Sequence, residues 1–366
     1  MTDSEYMHLA LQLARKGAGR VSPNPMVGAV IVKDGVVIGQ GYHQQYGGLH
    51  AERNALAACT APPQGATLYV TLEPCCHYGK TPPCTEAILE NGIARVVIGS
   101  DDPNPLVAGK GIEILRSHGV QVTTHVLQAE CDKLNEVFFH FIQSKTPYVV
   151  MKYAMTLDGK IATKTGASQW ITGEIARRRV HEDRNRYSAI MAGVGTVLAD
   201  NPQLTCRIEG GRNPVRIICD THLRTPLTAQ VVTTANSIPT ILATSEPNPA
   251  CHQPYLDAGC QVVTVPQRDG HLDLNALMEA LGAQNIDSIL LEGGGTLNWT
   301  ALQSGIVQKV QAYVAPKLFG GTAKNPVMGL GVELPDQAVQ LTSPTVTRLG
   351  EDLLLESEVI PCSPES

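Results

Sequence analysis

The sequence predicts an α/β protein of two domains, each a sheet flanked by helices. Three observations lead there. The 366 residues exceed what one core usually organises, at roughly 150 residues per domain. On both sides of the midpoint, short apolar runs suited to buried strands alternate with amphipathic segments of helical period. At Ser144-Lys145-Thr146-Pro147 that pattern breaks and starts again, which places the domains at 1–146 and 147–366.

In the first domain, Ser4 caps a helix whose apolar face is Tyr6, Met7, Leu9, Ala10, Leu13 and Ala14, ending near Gly17-Ala18-Gly19. The runs Met26–Val32 and Val36–Gly39 flank Lys33-Asp34-Gly35, a hairpin signal. A helix over about Ala51–Cys59 and a strand at Thr67–Leu72 follow. Thr81-Pro82-Pro83 opens a helix that Asn91-Gly92 closes, with proline at the start and glycine past the end. Val96–Gly99 reads as a strand, Gly109–His118 as a helix and Val120–His125 as a strand. A hairpin followed by alternating helices and strands makes a three-layer α/β/α domain on a mixed sheet. The second domain opens with a strand at Tyr148–Ala154 and a turn at Thr156–Lys160. Further strands are predicted at Val215–Cys219, Thr240–Ala243, Gln261–Val265, Ser288–Leu291 and Val310–Val314, with helices between most of them.

Composition excludes several function classes. Hydrophobic residues make up 43% of the chain and charged residues 17%, an ordinary globular balance that argues against disorder. Lys and Arg number 28 against 34 Asp and Glu, a net charge of −6 and a poor match for a chain that grips nucleic acid by bulk charge. No apolar run approaches the ~18 residues of a membrane span. The acidic start Met1-Thr2-Asp3-Ser4-Glu5 lacks the features of a secretory signal, so a cytoplasmic protein is expected. Ten cysteines in a reducing compartment then read as metal ligands, catalytic groups or small core residues.

Some of those cysteines form a pattern. His50-Ala51-Glu52 is followed by Pro74-Cys75-Cys76-His77 and then by Cys84. One imidazole and two thiolates supply three ligands of a tetrahedral zinc and leave one position for water, whose pKa the ion lowers. Glu52 is placed to carry the proton from that water to a leaving amine. Cys84, in a first helical turn, is the thiol whose pKa a helix N-terminus would lower. A structural zinc closed by Cys76 or His77 is the competing reading. The scattered Cys59, Cys131, Cys206, Cys219, Cys251, Cys260 and Cys362 read as packing residues.

In the second domain, the strand Ser288–Glu292 runs into Gly293-Gly294-Gly295-Thr296, a glycine turn before a helix that lets backbone amides approach a phosphate. Gly193-Val194-Gly195-Thr196 is a second such turn. Arg177, Arg178, Arg179, Arg184 and Arg207 offer guanidinium groups, or else a solvated helix face. Lys152 reads equally as a group that polarises substrate or as a strand lysine facing solvent.

The His-x-Glu and Pro-Cys elements resemble those of zinc-dependent nucleoside deaminases, except that the second thiolate stands nine positions after the first. Asn24-Pro25-x-Val27-Gly28 resembles the deaminase segment whose asparagine contacts the base. Joined to Met151–Ala162, Ser168–Gly173, Gly193–Pro202 and Leu291–Gly294, these motifs resemble the bifunctional riboflavin biosynthesis deaminase/reductase family along essentially the whole chain. The resemblance implies a cytidine-deaminase-like N-terminal domain and a dihydrofolate-reductase-like C-terminal domain. It implies zinc on His50, Cys75 and Cys84, with Glu52 catalytic and Asn24 on the substrate; Lys80, in the inserted loop Cys76–Pro83, reads equally as a contact to the substrate phosphate or as a solvated loop lysine. It further implies NADPH against Ala154, Trp170, Thr196, Asp200, Thr221, Gly294, Gly295 and Thr296. The reductase substrate would meet Ser168, Arg184, Leu204, Arg207 and Glu292. The implied chemistry is hydrolytic deamination of a diaminopyrimidinone ribosylamine 5′-phosphate, then hydride transfer to C1′ of its ribosyl group. The implied partner is that small phosphorylated pyrimidine, with no nucleic acid and no membrane, and a homo-oligomer is expected. The alternative is a nucleic-acid deaminase, such as a tRNA adenosine deaminase, with an appended binding domain.

Overall fold

Side chains alternate along a strand, so a sheet buried on both faces sorts its residues into two cores. The computed structural model describes residues 1–79 and 81–361, and the chain divides into the units Met1–Lys145 and Thr146–Ser366. The first unit runs α1 (Asp3–Ala14), β1 (Gly28–Lys33), β2 (Val36–Tyr42), α2 (Ala51–Ala57), β3 (Thr67–Leu72), α3 (Cys84–Glu90), β4 (Arg95–Ser100), α4 (Lys110–Ser117), β5 (Gln121–Thr123), α5 (Gln128–Leu134) and α6 (Glu136–Ser144). Its sheet has the order β2-β1-β3-β4-β5; β1 is antiparallel to both neighbours, and β3, β4 and β5 are parallel.

The two faces separate cleanly. Val30, Val32, Tyr69 and Val97 pack with Tyr6, Met7, Ala10 and Leu11 of α1 and with Cys131 and Leu134 of α5. Their neighbours Ala29, Ile31, Leu68, Val70, Val96 and Ile98 face Ala51, Ala55, Ile88, Ile112 and Leu115 of α2, α3 and α4. Helix α1 starts two residues earlier than predicted. Thr2, not Ser4, is its cap: the Thr2 hydroxyl accepts from the Glu5 amide while the Glu5 carboxylate accepts from the Thr2 amide at 2.6 Å. Helices α5 and α6 lie where no element was expected. Neither start has a capping side chain, and α5 begins from a left-handed Leu127 (φ 55°), so the usual start signals are missing.

Contact between α2 and β2 fixes what α2 carries. Gly41 is buried under α2, where an added Cβ would stand 2.3 Å from the Ala55 nitrogen and 2.6 Å from the Ala51 oxygen. Gly39 meets the Ala55 oxygen at 2.5 Å in the same way. Only a strand without side chains at these two places admits the helix so closely.

The second unit runs β6 (Tyr148–Thr156), α7 (Glu174–Arg186), β7 (Ala189–Gly193), α8 (Val194–Asp200), β8 (Val215–Cys219), α9 (Gln230–Thr233), β9 (Thr240–Thr244), α10 (Pro249–Asp257), β10 (Gln261–Thr264), β11 (Gln267–Arg268), β12 (His271–Leu272), α11 (Leu274–Gly282), β13 (Ser288–Leu291), α12 (Gly295–Gln303), β14 (Val307–Ala315), β15 (Thr345–Leu349) and β16 (Asp352–Glu358). Among the described residues its main sheet has the order β10-β9-β8-β7-β13-β6-β14-β16-β15. The strands from β10 to β14 are parallel, while β16 runs antiparallel to both β14 and β15. Alternation again divides the core, with Met191, Ile217, Ile241 and Leu291 on one face and Ile190, Ile218 and Leu242 on the other. The terminal hairpin β15–β16 was not expected, because most of it, including Val346 and Leu353, is exposed and only Leu354, with Leu349 beside it, packs into a core, against Ala176, Val180 and Tyr313.

Arg216 of β8 is fully buried and pairs with no carboxylate among the described residues. Its guanidinium donates instead to the carbonyls of Gln203, Val231 and Ile238 and to the hydroxyls of Thr234 and Thr240, over 2.6–3.3 Å. Burial pulls its pKa down only to about 10, so it stays charged at neutral pH. It ties the segment before Leu204 to the sheet.

Replacing Gly41 by alanine should push α2 off the strand and destabilise the protein by about 1–3 kcal/mol. Urea denaturation of the first unit, followed by its circular dichroism, should show a lower midpoint than wild type; an unchanged midpoint would mean that α2 tolerates displacement.

Candidate functional site

Two clefts collect the chemistry-bearing side chains. In the first unit, β3 delivers Cys75 just past its carboxyl end, α3 begins at Cys84, and His50 caps the start of α2. The amides of Cys84 and Thr85 both donate to the Cys75 carbonyl, at 3.1 and 3.2 Å, which clasps the two thiols together across the intervening loop. His50 Nδ1 lies 3.4 Å from Cys75 Sγ and 3.4 Å from Cys84 Sγ. A tetrahedral zinc, with ~2.3 Å bonds to sulfur and ~2.0 Å bonds to nitrogen, sets nitrogen–sulfur separations of about 3.5 Å. The three ligand atoms therefore fit that ion, in both spacing and softness. With Nδ1 turned to the sulfurs, Nε2 faces the Thr81 hydroxyl at 3.4 Å, a partner that fixes the ring.

The electrostatics suit a cation as well. The hydrogen bond from Cys84 outweighs burial and, with His50, holds the Cys75 thiol down to about 4. Sharing that bond, and burial, push Cys84 well up. The sequence places the helix-start effect on Cys84; in the structure the Cys84 amide points at Cys75 Sγ, 3.4 Å away, and the advantage passes to its neighbour. Glu52, buried in the first turn of α2, has its pKa raised by burial and by the negative Cys75 beside it, which makes its carboxyl a ready proton carrier.

Around this centre lies a cleft of about 250 Å³. Asn24, predicted as a substrate contact, lines it, and its amide donates to His43 Nε2 at 3.2 Å. His43 Nδ1 in turn meets the Leu49 carbonyl at 3.0 Å, and burial lowers the pKa of the ring, so the imidazole stays neutral and orients the amide. Asp102 and Asn104 also line it, and burial raises Asp102 to about 6. Neither His43 nor Asp102 has a neighbour in sequence that marks it. Cys76 turns its thiol toward the Leu106 carbonyl, and neither it nor His77 joins the ligand cluster among the described residues. Lys80, the predicted phosphate contact, lies outside the described residues.

In the second unit a cleft of about 650 Å³ opens at the carboxyl ends of β7, β8 and β13. Ser168, Thr196, Asp200, Thr221, Gly294, Gly295 and Thr296, all predicted for this domain's site, line it together. The first-turn amides of α12 have no acceptor within the helix, and the start of the helix has no capping side chain. Gly295 is required by packing: an added Cβ would lie 2.8 Å from the Asn325 oxygen and 2.7 Å from Met328. Beyond the glycine turn, Glu292 accepts a bidentate pair from Arg184, at 2.7 and 2.9 Å, and a further bond from Lys152 at 3.3 Å. Burial works to raise the Glu292 pKa, but Arg184 and Lys152 overcome it and hold the carboxyl far below its ordinary range. Arg184 also donates to the Thr205 carbonyl at 3.0 Å, next to the buried, left-handed Leu204 (φ 52°).

Not every predicted residue converges. Arg207 lines a shallower basic recess with Arg177, Arg178 and His181. Trp170 is 60% exposed under the Arg177 guanidinium, 4.8 Å from its ring centre, and Ala154 packs beside Tyr313; neither lines the large cleft. Arg179 reaches Asp183 at 3.5 Å. The arginine run of α7 is thus divided among three tasks.

Comparison with known proteins follows the same division. Residues 1–100 match the cytidine and deoxycytidylate deaminase zinc-binding region, and residues 147–355 match the RibD C-terminal domain. The riboflavin biosynthesis protein RibD of Actinobacillus pleuropneumoniae is 53% identical over 361 residues, spanning 98% of this chain and 96% of the relative. RibD of Acinetobacter baumannii is similar in structure, with a TM-score of 0.88 at 36% identity over 98% of this chain and 99% of the other. The diaminohydroxyphosphoribosylaminopyrimidine deaminase/5-amino-6-(5-phosphoribosylamino)uracil reductase of Thermotoga maritima gives 0.86 at 40% identity with the same coverage.

The ion cluster in the second unit makes a pH-dependent prediction. A carboxyl held below its unfolded value of about 4.3 adds stability above that pH and loses it as the pH falls toward the folded value. Glu292→Gln leaves two buried cations without their anion and should cost about 3 kcal/mol at pH 7. Thermal melts of the two proteins should differ most at neutral pH and draw together below pH ~4; a gap that stays constant with pH would contradict a buried carboxylate.

Proposed function

The chain belongs to the family of the riboflavin biosynthesis protein RibD and is a bifunctional deaminase and reductase, and from that premise we propose how its residues divide the two reactions. The first unit, with zinc, deaminates 2,5-diamino-6-(5-phosphoribosylamino)pyrimidin-4(3H)-one; the second, with NADPH, reduces the ribosyl group of the product to ribityl.

The convergence of His50, Cys75 and Cys84 on one point beside a buried Glu52 carries the first half. Those three residues hold the zinc, which when bound acts as a Lewis acid and makes water a usable nucleophile near neutral pH. Glu52 takes a proton from the attacking water as its oxygen bonds to C2 of the ring, and returns it to the amine as the C–N bond breaks and ammonia leaves. Asn24, held by His43, orients the pyrimidine, and Lys80 takes its phosphate. Cys76 turns its thiol to the Leu106 carbonyl, and neither it nor His77 belongs to the ligand cluster among the described residues, which would leave a fourth position of a bound zinc open to water.

In the second unit, Thr196, Asp200, Thr221 and the Gly294–Thr296 turn hold NADPH, which when bound supplies the hydride. Ala154 and Trp170 complete this set at its margin. Glu292 keeps Arg184 and Lys152 fixed at the mouth of the cleft, where Lys152 polarises the sugar, while Ser168, Leu204 and Arg207 receive the rest of the substrate. The match of this unit to a reductase domain leaves the nucleic-acid deaminase reading without the binding domain it needs. A cytoplasmic site of action agrees with the unpaired cysteines of the described residues. Self-association is part of the proposal too, and the open β15 edge of the second sheet supports it.

The test follows ammonia and nicotinamide absorbance together on the diaminopyrimidine phosphate. Glu52→Gln should keep one zinc per chain, lose ammonia release by about 10²- to 10⁴-fold, and still oxidise NADPH on deaminated substrate. Arg207→Ala should impair reduction alone. Normal deamination by Glu52→Gln would remove Glu52 as the proton carrier.

A further inference from the structure

Besides Glu52, a second buried carboxylate stands close in sequence to the zinc ligands. Glu73 follows β3 directly, two residues before Cys75, and is 3% exposed. Its own amide donates to the Ser100 carbonyl at 2.9 Å, which carries the pairing of β3 with β4 one residue further. Among the described residues its carboxylate meets backbone amides alone. Oε2 accepts from Gly109 at 2.9 Å and Oε1 from Ile112 at 3.2 Å, and the Asp102 amide points at Oε2 from 3.5 Å.

These amides belong to the two ends of one loop. Asp102 lies just past β4, and Gly109 and Ile112 stand at the start of α4. Gly109 takes a left-handed conformation (φ 80°) and offers α4 no capping side chain, so the first-turn amides need an acceptor from elsewhere. Glu73 is that acceptor, at the end of the helix dipole where negative charge is favoured. The approach is close: a Cβ on Gly111 would stand 2.2 Å from the Pro74 oxygen and 3.1 Å from Glu73 Oε1. Between the two anchored ends, Asp102, Asn104 and Val107 line the deaminase cleft, and the Leu106 carbonyl meets the Cys76 thiol at 3.7 Å. The loop also has a firm shape of its own. Asp102 accepts from the Asn104 amide at 2.9 Å, and the Asn104 side chain accepts from the Leu106 amide at 3.1 Å.

We propose that Glu73 is a positioning residue for the deamination, whose carboxylate holds the Asp102–Val107 wall of the cleft at a fixed distance from Cys75. The assignment rests on the reading of this cleft as the deamination site. With both oxygens engaged by amides, Glu73 acts on the substrate through the wall it holds. A wall in place only part of the time weakens apparent affinity by that fraction.

Steady-state kinetics of the full-length protein, following ammonia release on the diaminopyrimidine phosphate, separate this role from a purely structural one. Glu73→Gln keeps the size of the side chain but turns one acceptor oxygen into an NH2 group that faces a backbone N–H. It should raise KM for deamination by about 10-fold, the usual worth of a hydrogen bond to a charged group, with kcat within about twofold. Zinc should stay at one per chain, and NADPH oxidation on deaminated substrate should be unchanged. A loss of folded protein would instead lower kcat per chain and leave KM as it was, because the folded molecules keep an intact cleft. Glu73→Asp, which keeps both oxygens one methylene further back, carries the same reading if Glu73→Gln does not fold. An unchanged KM in the variant that folds, or zinc lost along with activity, would overturn the role of Glu73. Wild-type protein that releases no ammonia would overturn the deamination reading itself.

Discussion

Parallel strand pairing is the constraint on which both clefts depend. When neighbouring strands point the same way, their carboxyl ends finish on one edge, and the chain must leave that edge through loops that enter helices. In the first unit, β3 and β4 end where Cys75 and Asp102 begin their loops, and the helix starts of α2 and α3 bring His50 and Cys84 to the same edge. In the second, β7, β8 and β13 end together at Gly193, Asp220 and Glu292. Antiparallel β1 serves the first sheet differently. It lets β2 lie at the sheet edge, where two glycines admit α2 at backbone contact and set the height of His50 and Glu52.

Buried charge is handled in two ways in the second unit, and the difference follows from what each arginine must do. Arg184 meets a carboxylate, Glu292, which Lys152 also touches, so the cluster keeps one excess positive charge. Arg216 meets only neutral oxygens, which satisfy its protons without cancelling its charge and spread it over a wide shell of dipoles. The first arrangement joins β6, α7 and the residue after β13 to the Thr205 segment, and the second fastens β8, α9 and the Gln203 segment into one body. A lysine, with three protons on a single atom, makes neither arrangement.

The fold was largely legible because it rests on alternation, and alternation is written in consecutive residues. Ala29-Val30-Ile31-Val32 announces a strand apolar on both faces, and it is one. The clustering of His50, Cys75 and Cys84 was legible for a related reason: His50 stands at one helix start, and Cys75 and Cys84 flank one loop, so sequence spacing stands in for distance. His43 and Asp102 were not legible. Each is a lone polar residue whose position depends on which strands lie side by side, and strand order is not a local property. Helices α5 and α6 were missed: α5 starts from a left-handed Leu127, and α6 follows it directly through Asn135 with no turn residues between them. The hairpin β15–β16 was missed because half of it never enters a core.

Each cleft draws all of its named residues from one unit, either before Lys145 or after Thr146. Covalent linkage therefore fixes the two catalysts at a one-to-one stoichiometry however strongly the chain is expressed. At given substrate and cofactor concentrations the ratio of the two rates is set by the kinetic constants of the clefts, and raising the amount of protein scales both steps without changing it. The deaminated intermediate then accumulates in proportion to the mismatch between the sites, a quantity that substitution in either unit adjusts independently of the other.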